Sequence, residues 1–155
     1  MIRLAEEKDI KEIQKLNREL FTVLNKLHPN IYNIWSFNSD FIISIIKNID
    51  SDYILIEENN MIIGYLFIEK RVSPSKEFKF FKKEEFAYIY EIVVLPEYRS
   101  KGFGKTLINE ANIWAKKRNL SCIELNVLAN NYSAVDFYED IEFENYQLKM
   151  RKKVF

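Results

Sequence analysis

Apolar positions at Ile10, Ile13, Leu16, Leu20, Val23, Leu24 and Leu27 recur at helical spacing and predict an amphipathic helix near the start of the chain. Asp9, with Glu12 three residues on, supplies a capping-box-like start. His28-Pro29-Asn30 breaks the pattern. Asn38, Ser39 or Asp40 can cap a second helix that turns Phe41, Ile42, Ile45, Ile46 and Ile49 inward. Ile2-Arg3-Leu4 reads as a short first strand, and Tyr53 to Glu57 and Met61 to Arg71 as two more. The last two are joined by Asn59-Asn60, a pair that tolerates positive φ. From Tyr88 to Leu95 both faces are apolar or aromatic except at Glu91, which predicts a strand covered on both sides. Pro96, lacking an N–H, ends its ladder.

From Gly104 the period becomes helical, with Leu107, Ile108, Ala111, Trp114 and Ala115 on one face. Cys122 to Leu128 alternates as a further strand, and Asn131 to Asp140 is a short helix carrying Ala134, Phe137 and Tyr138. Phe143 to Val154 reads as an edge strand, with Tyr146, Leu148 and Met150 on one face and Gln147, Lys149 and Arg151 on the other. The charged stretch within Val72 to Phe86 is expected to be a hairpin connection. The order β-α-α-β-β-β-α-β-α-β predicts an α/β protein, a mixed central sheet with helices on both faces.

The central strand and the helix after it are joined by Arg99-Ser100-Lys101-Gly102-Phe103-Gly104-Lys105, which holds two of the chain's three glycines. Glycine lets backbone N–H groups approach a ligand closely. A helix start leaves N–H groups unpaired at the positive end of its dipole. Arg99, Lys101 and Lys105 add positive charge. The combination describes a cradle for an anionic, phosphate-bearing ligand; a basic turn with no ligand is the plain alternative. A Walker A loop is half matched, because Gly104-Lys105-Thr106 fits its end but Arg99 stands where its first glycine belongs. A dinucleotide fingerprint fails at Leu107, the place of its third glycine.

A chain of 155 residues suits a single domain, 1–155, with a real core, and 48% hydrophobic residues make it globular. Lys and Arg total 23, as do Asp and Glu, which argues against nucleic-acid binding by bulk electrostatics. The single cysteine, Cys122, excludes an internal disulfide and a multi-cysteine metal site; within a strand it reads as a core thiol. Neither a membrane-spanning run nor a signal-peptide apolar region is visible, so a cytoplasmic protein without a membrane partner is expected.

Arg-x-x-Gly-x-Gly after a strand ending in Val94-Leu95-Pro96 resembles motif A of the GCN5-related N-acetyltransferases. Asn131-x-x-Ala134-x-x-Phe137-Tyr138 resembles the family's second signature, and Ile2-Arg3-x-Ala5 followed by Asp9-Ile10 its first strand and helix. The element order is similar over nearly the whole chain; one departure is Glu142-Phe143, where the family has Gly-Phe.

The resemblance implies the acyl-CoA N-acyltransferase fold and transfer of acetyl from acetyl-CoA, as co-substrate and without a metal. The implied acceptor is a primary amine, either a small amine or a peptide N-terminus or lysine, attacking directly in a ternary complex. Backbone N–H groups of Arg99, Ser100, Lys101, Gly102, Phe103, Gly104 and Lys105, with Thr106 next to them, would hold the diphosphate, and the Arg99 and Lys105 side chains would assist. Ile92 and Val93 would line the pantetheine path and the Val94 N–H would polarise the thioester carbonyl. Asn131 would bond the pantetheine arm and Tyr138 would be the general acid. Where some members hold a basic Glu, this chain has Asn126. Glu91, a lone carboxylate in an apolar strand, is therefore the candidate base; a structural salt bridge or a water chain are the alternatives. Tyr32, Trp35 and Phe37 are expected either to line the acceptor pocket above Glu91 or to belong to the core, and His28 reads as a loop residue. The rival function is a non-catalytic acyl-CoA sensor of the same fold, and either a monomer or a homodimer is compatible with the sequence.

Overall fold

The computed structural model describes residues 1–73 and 82–154. The middle of the expected charged connection, 74–81, lies outside the described residues. Five strands form one sheet in the order β1-β2-β3-β4-β5. These are β1 (Ile2–Leu4), β2 (Ser51–Glu58), β3 (Met61–Ser73), β4 (Glu84–Val94) and β5 (Ile123–Leu125). The helices are α1 (Ile10–Leu27), α2 (Ser39–Ile46), α3 (Phe103–Lys117) and α4 (Tyr132–Glu139). All neighbouring strands are antiparallel except β4 and β5, which run parallel. Asn59 and Asn60 take φ of 50° and 62° in the β2–β3 turn. β3 and β4 are longer than the sequence pattern suggested, and they pair as far as Ser73 with Glu84.

Two cores flank the sheet. On one face Ile13 and Leu16 of α1 and Ile42 and Ile45 of α2 pack on Tyr53, Leu55, Tyr65, Phe67 and Val93. On the other, Leu107, Ile108, Ala111, Trp114 and Ala115 of α3 pack on Ile54, Ile56, Leu66, Ile68, Ala87 and Ile89. Helical periodicity thus identified both inward faces, with two exceptions: Phe41 is 36% exposed, and Ile49 follows the end of α2 and is 85% exposed.

One irregularity positions the site. Phe67 pairs with Glu91 but Ile68 pairs with Ile89, so Tyr90 is an extra residue in β4. A bulge of this kind breaks the two-residue alternation. Ala87 and Ile89 face α3; without the bulge Glu91 would face α3 too. With it, Ile92 and Val94 pack on the α3 side, and Glu91 and Val93 turn to the α1–α2 side. Beyond Ile89, paired with Leu125, β4 parts from β5. This divergence explains why β5 covers Ile123–Leu125 and not the whole of 122–128.

The expected edge strand at Phe143–Val154 is not formed. Phe143 donates its N–H to Tyr138 O, and 144–154 carries no regular structure. Tyr146, Leu148 and Met150 are 84%, 76% and 84% exposed. Alternation supplies a strand's two faces, but a strand also needs an edge to exchange hydrogen bonds with, and β5 offers only three residues.

The start of α1 also departs from expectation. A 3-10 turn at Glu7–Asp9 precedes it, and the Asp9 carboxylate, rather than pairing with Glu12 in a capping box, accepts from Glu6 N–H at 2.8 Å. Arg3 grips the same carboxylate with two bonds of 2.7 and 2.9 Å, and this holds Asp9 below the usual carboxylate range. Asp9→Asn is expected to cost about 2 kcal/mol in denaturant unfolding at neutral pH, since it removes the two-bonded partner of a partly buried guanidinium and leaves it Glu57 alone, 2.6 Å away. A depressed carboxylate stabilises the fold above its unfolded value of about 3.9 and loses that contribution as pH falls through the folded value. The gap between parent and variant should therefore close in acid.

Candidate active site

The glycine-rich loop leaves β4 through a 3-10 turn at Pro96–Tyr98 and enters α3. Ser100 and Gly102 have left-handed φ of 59° and 87°, which twist successive amides out of any ladder. A Cβ built on Gly102 meets nothing within 4 Å, so the space above it is open. The first bond of α3 runs from Thr106 N–H to Gly102 O. Among the described residues, the amides of Ser100, Lys101, Gly102, Phe103, Gly104 and Lys105 have no acceptor. The Thr106 hydroxyl turns back to Gly102 O at 3.1 Å, away from the metal-binding task it would have in a Walker loop.

The side chains of the loop divide differently from expectation. Arg99 reaches back, its Nε donating to Val94 O at 2.9 Å, with Nη2 4.0 Å from Glu19 of α1. Its guanidinium clamps the end of β4 and is not turned to the cradle. Lys101 Nζ lies 5.1 Å from the Tyr98 ring centroid. Gly104 has a packing duty as well: a Cβ there would come within 3.1 Å of the Phe137 ring of α4.

Behind the loop, the backbone of β4 is exposed on its outer edge. Leu95 N–H donates to Ile63 O. In an antiparallel ladder hydrogen-bonded pairs alternate with non-bonded ones. The adjoining Val94–Gly64 pair is therefore non-bonded, and Val94 directs its N–H and C=O away from β3, into the gap left by β5. Ile92 follows the same parity. Val93, expected beside them, instead turns its backbone to β3, and its side chain is buried under α1 and α2. Gly64 makes this close pairing possible, because a Cβ would fall 2.5 Å from Val93 O.

On the α1–α2 side of the same strand, Glu91 is 8% exposed. Tyr65 donates its hydroxyl to Glu91 Oε2 at 2.7 Å, and Asn17 Nδ2 lies 3.0 and 3.1 Å from the two carboxylate oxygens. Burial pushes the Glu91 carboxyl up to about 7, and the two donors keep it from rising further. The salt bridge that would have made it purely structural is absent among the described residues. The Tyr53 hydroxyl, buried nearby, has no partner among them.

Trp35 and Phe37, held edge-on at 4.9 Å, do stand before α2 beside this cluster, with Phe37 stacked on Phe41 at 4.2 Å. Tyr32 joins through Phe21, 6.5 Å away.

On the α3 side, Tyr138 is half-buried with Phe143 5.6 Å away, and burial pushes its phenol up to about 12. Its hydroxyl has no protein partner among the described residues. Asn131 caps α4 through its carbonyl, and its Oδ1 accepts from Ser133 at 3.3 Å. His28 Nε2 meets Asn130 Oδ1 at 2.9 Å, tying the end of α1 to the loop before α4. Glu91 and Tyr138 thus sit on opposite faces of the sheet, with the β4–β5 gap between them.

Sequence reasoning passed over Asn17 and Tyr65. The available signal was an amide on an otherwise apolar helix face, one turn from Ile13. Among the described residues there is no metal-ligating cluster and no helix long and apolar enough to cross a membrane.

A mixed sheet whose parallel pair parts beside a glycine-rich helix start defines the acyl-CoA N-acyltransferase fold. The acetyltransferase (GNAT) family profile matches residues 10–143. An uncharacterised N-acetyltransferase of Methanocaldococcus jannaschii is 31% identical over 115 residues, 71% of this chain and 49% of that protein. The chain thus spans about half the length of this curated relative. An N-alpha-acetyltransferase of Saccharolobus solfataricus is 27% identical over 147 residues, 92% of this chain and 79% of that one. A crystal structure of a Bacillus halodurans protein superposes with a TM-score of 0.92 at 20% identity, covering 100% of this chain and 99% of that chain. The chain belongs to the acetyltransferase (GNAT) family.

Proposed function

We infer that this protein transfers the acetyl group of acetyl-CoA to a primary amine by direct attack in a ternary complex. The observation that carries the reading is the run of amides from Ser100 to Lys105, acceptor-free among the described residues, beside the Val94 N–H that ladder parity turns into the β4–β5 gap. Those amides, with Lys105 nearby, suit a diphosphate. The gap suits the pantetheine arm, with Ile92 on its wall and the Asn131 amide within the same region. Acetyl-CoA, when bound, supplies a thioester whose C–S bond breaks as the amine's C–N bond forms.

The residues then have separate tasks. The Val94 N–H meets charge developing on the carbonyl oxygen, a contribution of about 3–4 kcal/mol for one aimed donor. Glu91 takes the proton that the ammonium must lose. It lies three residues from Val94, about 10 Å along a strand, so a short chain of waters completes the path. Tyr138 returns a proton to the departing sulfur from the other face. The acceptor is a small amine, a peptide N-terminus or a lysine; the name of the S. solfataricus relative favours the peptide N-terminus.

The test is calorimetric titration of acetyl-CoA followed by acetylation assays on an amine panel. Binding and turnover support the reading; binding without turnover on any amine leaves the sensor, and no binding overturns both. Because Glu91 titrates at about 7 and acts when ionised, kcat/KM should fall tenfold per unit as pH drops below about 7. Glu91→Gln should remove that limb and lower the rate about a hundredfold. A raised carboxylate has the opposite stability sign from Asp9. Its contribution is full below the unfolded value of about 4.3 and is lost as pH rises through about 7.

A further inference from the structure

We propose that Asn17 is the positioning residue of the acceptor side, one buried amide that locks the loop before α2 and the Glu91 carboxylate to each other. The proposal rests on the reading of Glu91 as the base. Asn17 is fully buried on the face of α1 that otherwise carries Ile13 and Leu16. Its Nδ2 meets both Glu91 oxygens at 3.0 and 3.1 Å and the Tyr65 hydroxyl at 3.1 Å. Its Oδ1 accepts the Phe37 N–H at 3.0 Å. Tyr65 has already committed its proton to Glu91, so it can only accept from Asn17. The orientation of the amide follows: flipping it would set the Asn17 oxygen against the two carboxylate oxygens and its NH2 against the Phe37 N–H.

Phe37 is the anchor of the aromatic loop. It packs against Trp35 at 4.9 Å, Phe41 at 4.2 Å and Phe21 at 6.3 Å, and Trp35 is 50% exposed. An amine pressed against this loop therefore acts on the same amide that holds the base. When Glu91 takes a proton, its carboxyl gains a donor of its own, and the hold of the Asn17 NH2 weakens. The Phe37 anchor feels that change through one side chain. By linkage, ordering of the loop favours the ionised carboxylate by the same factor.

The groups facing Glu91 leave no other owner for its titration. β3 presents Tyr65, β2 presents Tyr53, and both phenols are held up by burial first and by Glu91 second. α1 presents Asn17, and α2 presents Ile42 and Ile45. Tyr90, the preceding residue on β4, donates to Glu69 at 2.6 Å.

The test is NMR on protein carrying carbon-13 glutamate carboxyls and nitrogen-15 amides. In the parent, the Phe37 amide should titrate with the same midpoint as the Glu91 carboxyl, and Glu91→Gln should silence it. Asn17→Leu keeps the branched shape and removes the bonds to Glu91, Tyr65 and Phe37. It should move the Glu91 midpoint upward by about one pH unit or more, since donors to the ionised form are lost. The acid limb of kcat/KM should move with it, while acetyl-CoA binding stays at the parent level. A Phe37 amide in the parent that ignores the Glu91 titration overturns the proposal, as does an unmoved midpoint in folded Asn17→Leu. The parent experiment needs no variant to fold and no acetylated amine. A failure of the acetyltransferase reading is thereby told apart from a failure of this one.

Discussion

Gly102→Glu is expected to abolish acetyl-CoA binding while leaving the protein folded. The backbone at this position has φ of 87°, so any L side chain costs about 1–2 kcal/mol there. The side chain itself meets no obstruction, because nothing lies within 4 Å of the new Cβ. A penalty of that size is tolerable beside the typical stability of a domain, roughly 5–15 kcal/mol. Binding is affected by charge. The new carboxylate arrives beside the free amides from Ser100 to Lys105 and competes for the donors that a diphosphate needs. Calorimetry should show at least a hundredfold loss, a difference of about 2.7 kcal/mol. Gly102→Ala separates the two effects, since it carries the strain without the charge and should weaken binding only several-fold. Equal losses for both variants would mean that loop geometry, and not anion recognition, is what the site depends on.

Tyr138→Phe is expected to lower kcat about a hundredfold or more with little change in KM for acetyl-CoA. The ring packs beside Phe137 and Phe143, and the variant keeps that packing. Only the hydroxyl is lost, and burial keeps it protonated up to about 12, so it is an acid ready to donate at every working pH. A proton donor matters in proportion to the basicity of the leaving thiolate. An acetyl thioester of an electron-poor thiol, which leaves without help, should therefore narrow the gap between parent and variant. An unchanged kcat with acetyl-CoA would remove Tyr138 from the chemistry and return it to the core of α4.

Much of the fold could be read from periodicity. The inward faces of α1 and α3, the Asn59-Asn60 turn, the stop at Pro96 and the order of the elements as far as α4 all follow from local spacing and turn chemistry. These are properties of neighbouring residues, and tertiary packing agrees with them here. The glycine-rich loop and its acceptor-free amides were equally legible, because Gly102, its neighbours and the start of α3 are contiguous. The edge strand at Phe143–Val154 was not, since alternation says nothing about whether an edge is available to pair with.

The sequence by itself determined the architecture, the loop and its candidate chemical groups as far as those depend on residues adjacent in the chain. The tertiary structure decided which face each group serves. One extra residue at Tyr90 turns Glu91 from the α3 side to the α1 side and separates it from Tyr138 by the thickness of the sheet. Ladder parity points Val94, and not Val93, into the gap. Arg99 is drawn to the carbonyl that the same parity leaves free. Asn17, on α1, becomes a partner of Glu91 only when α1 is laid across β3 and β4. Register and helix docking are set by pairings between distant residues, and no local pattern carries that information.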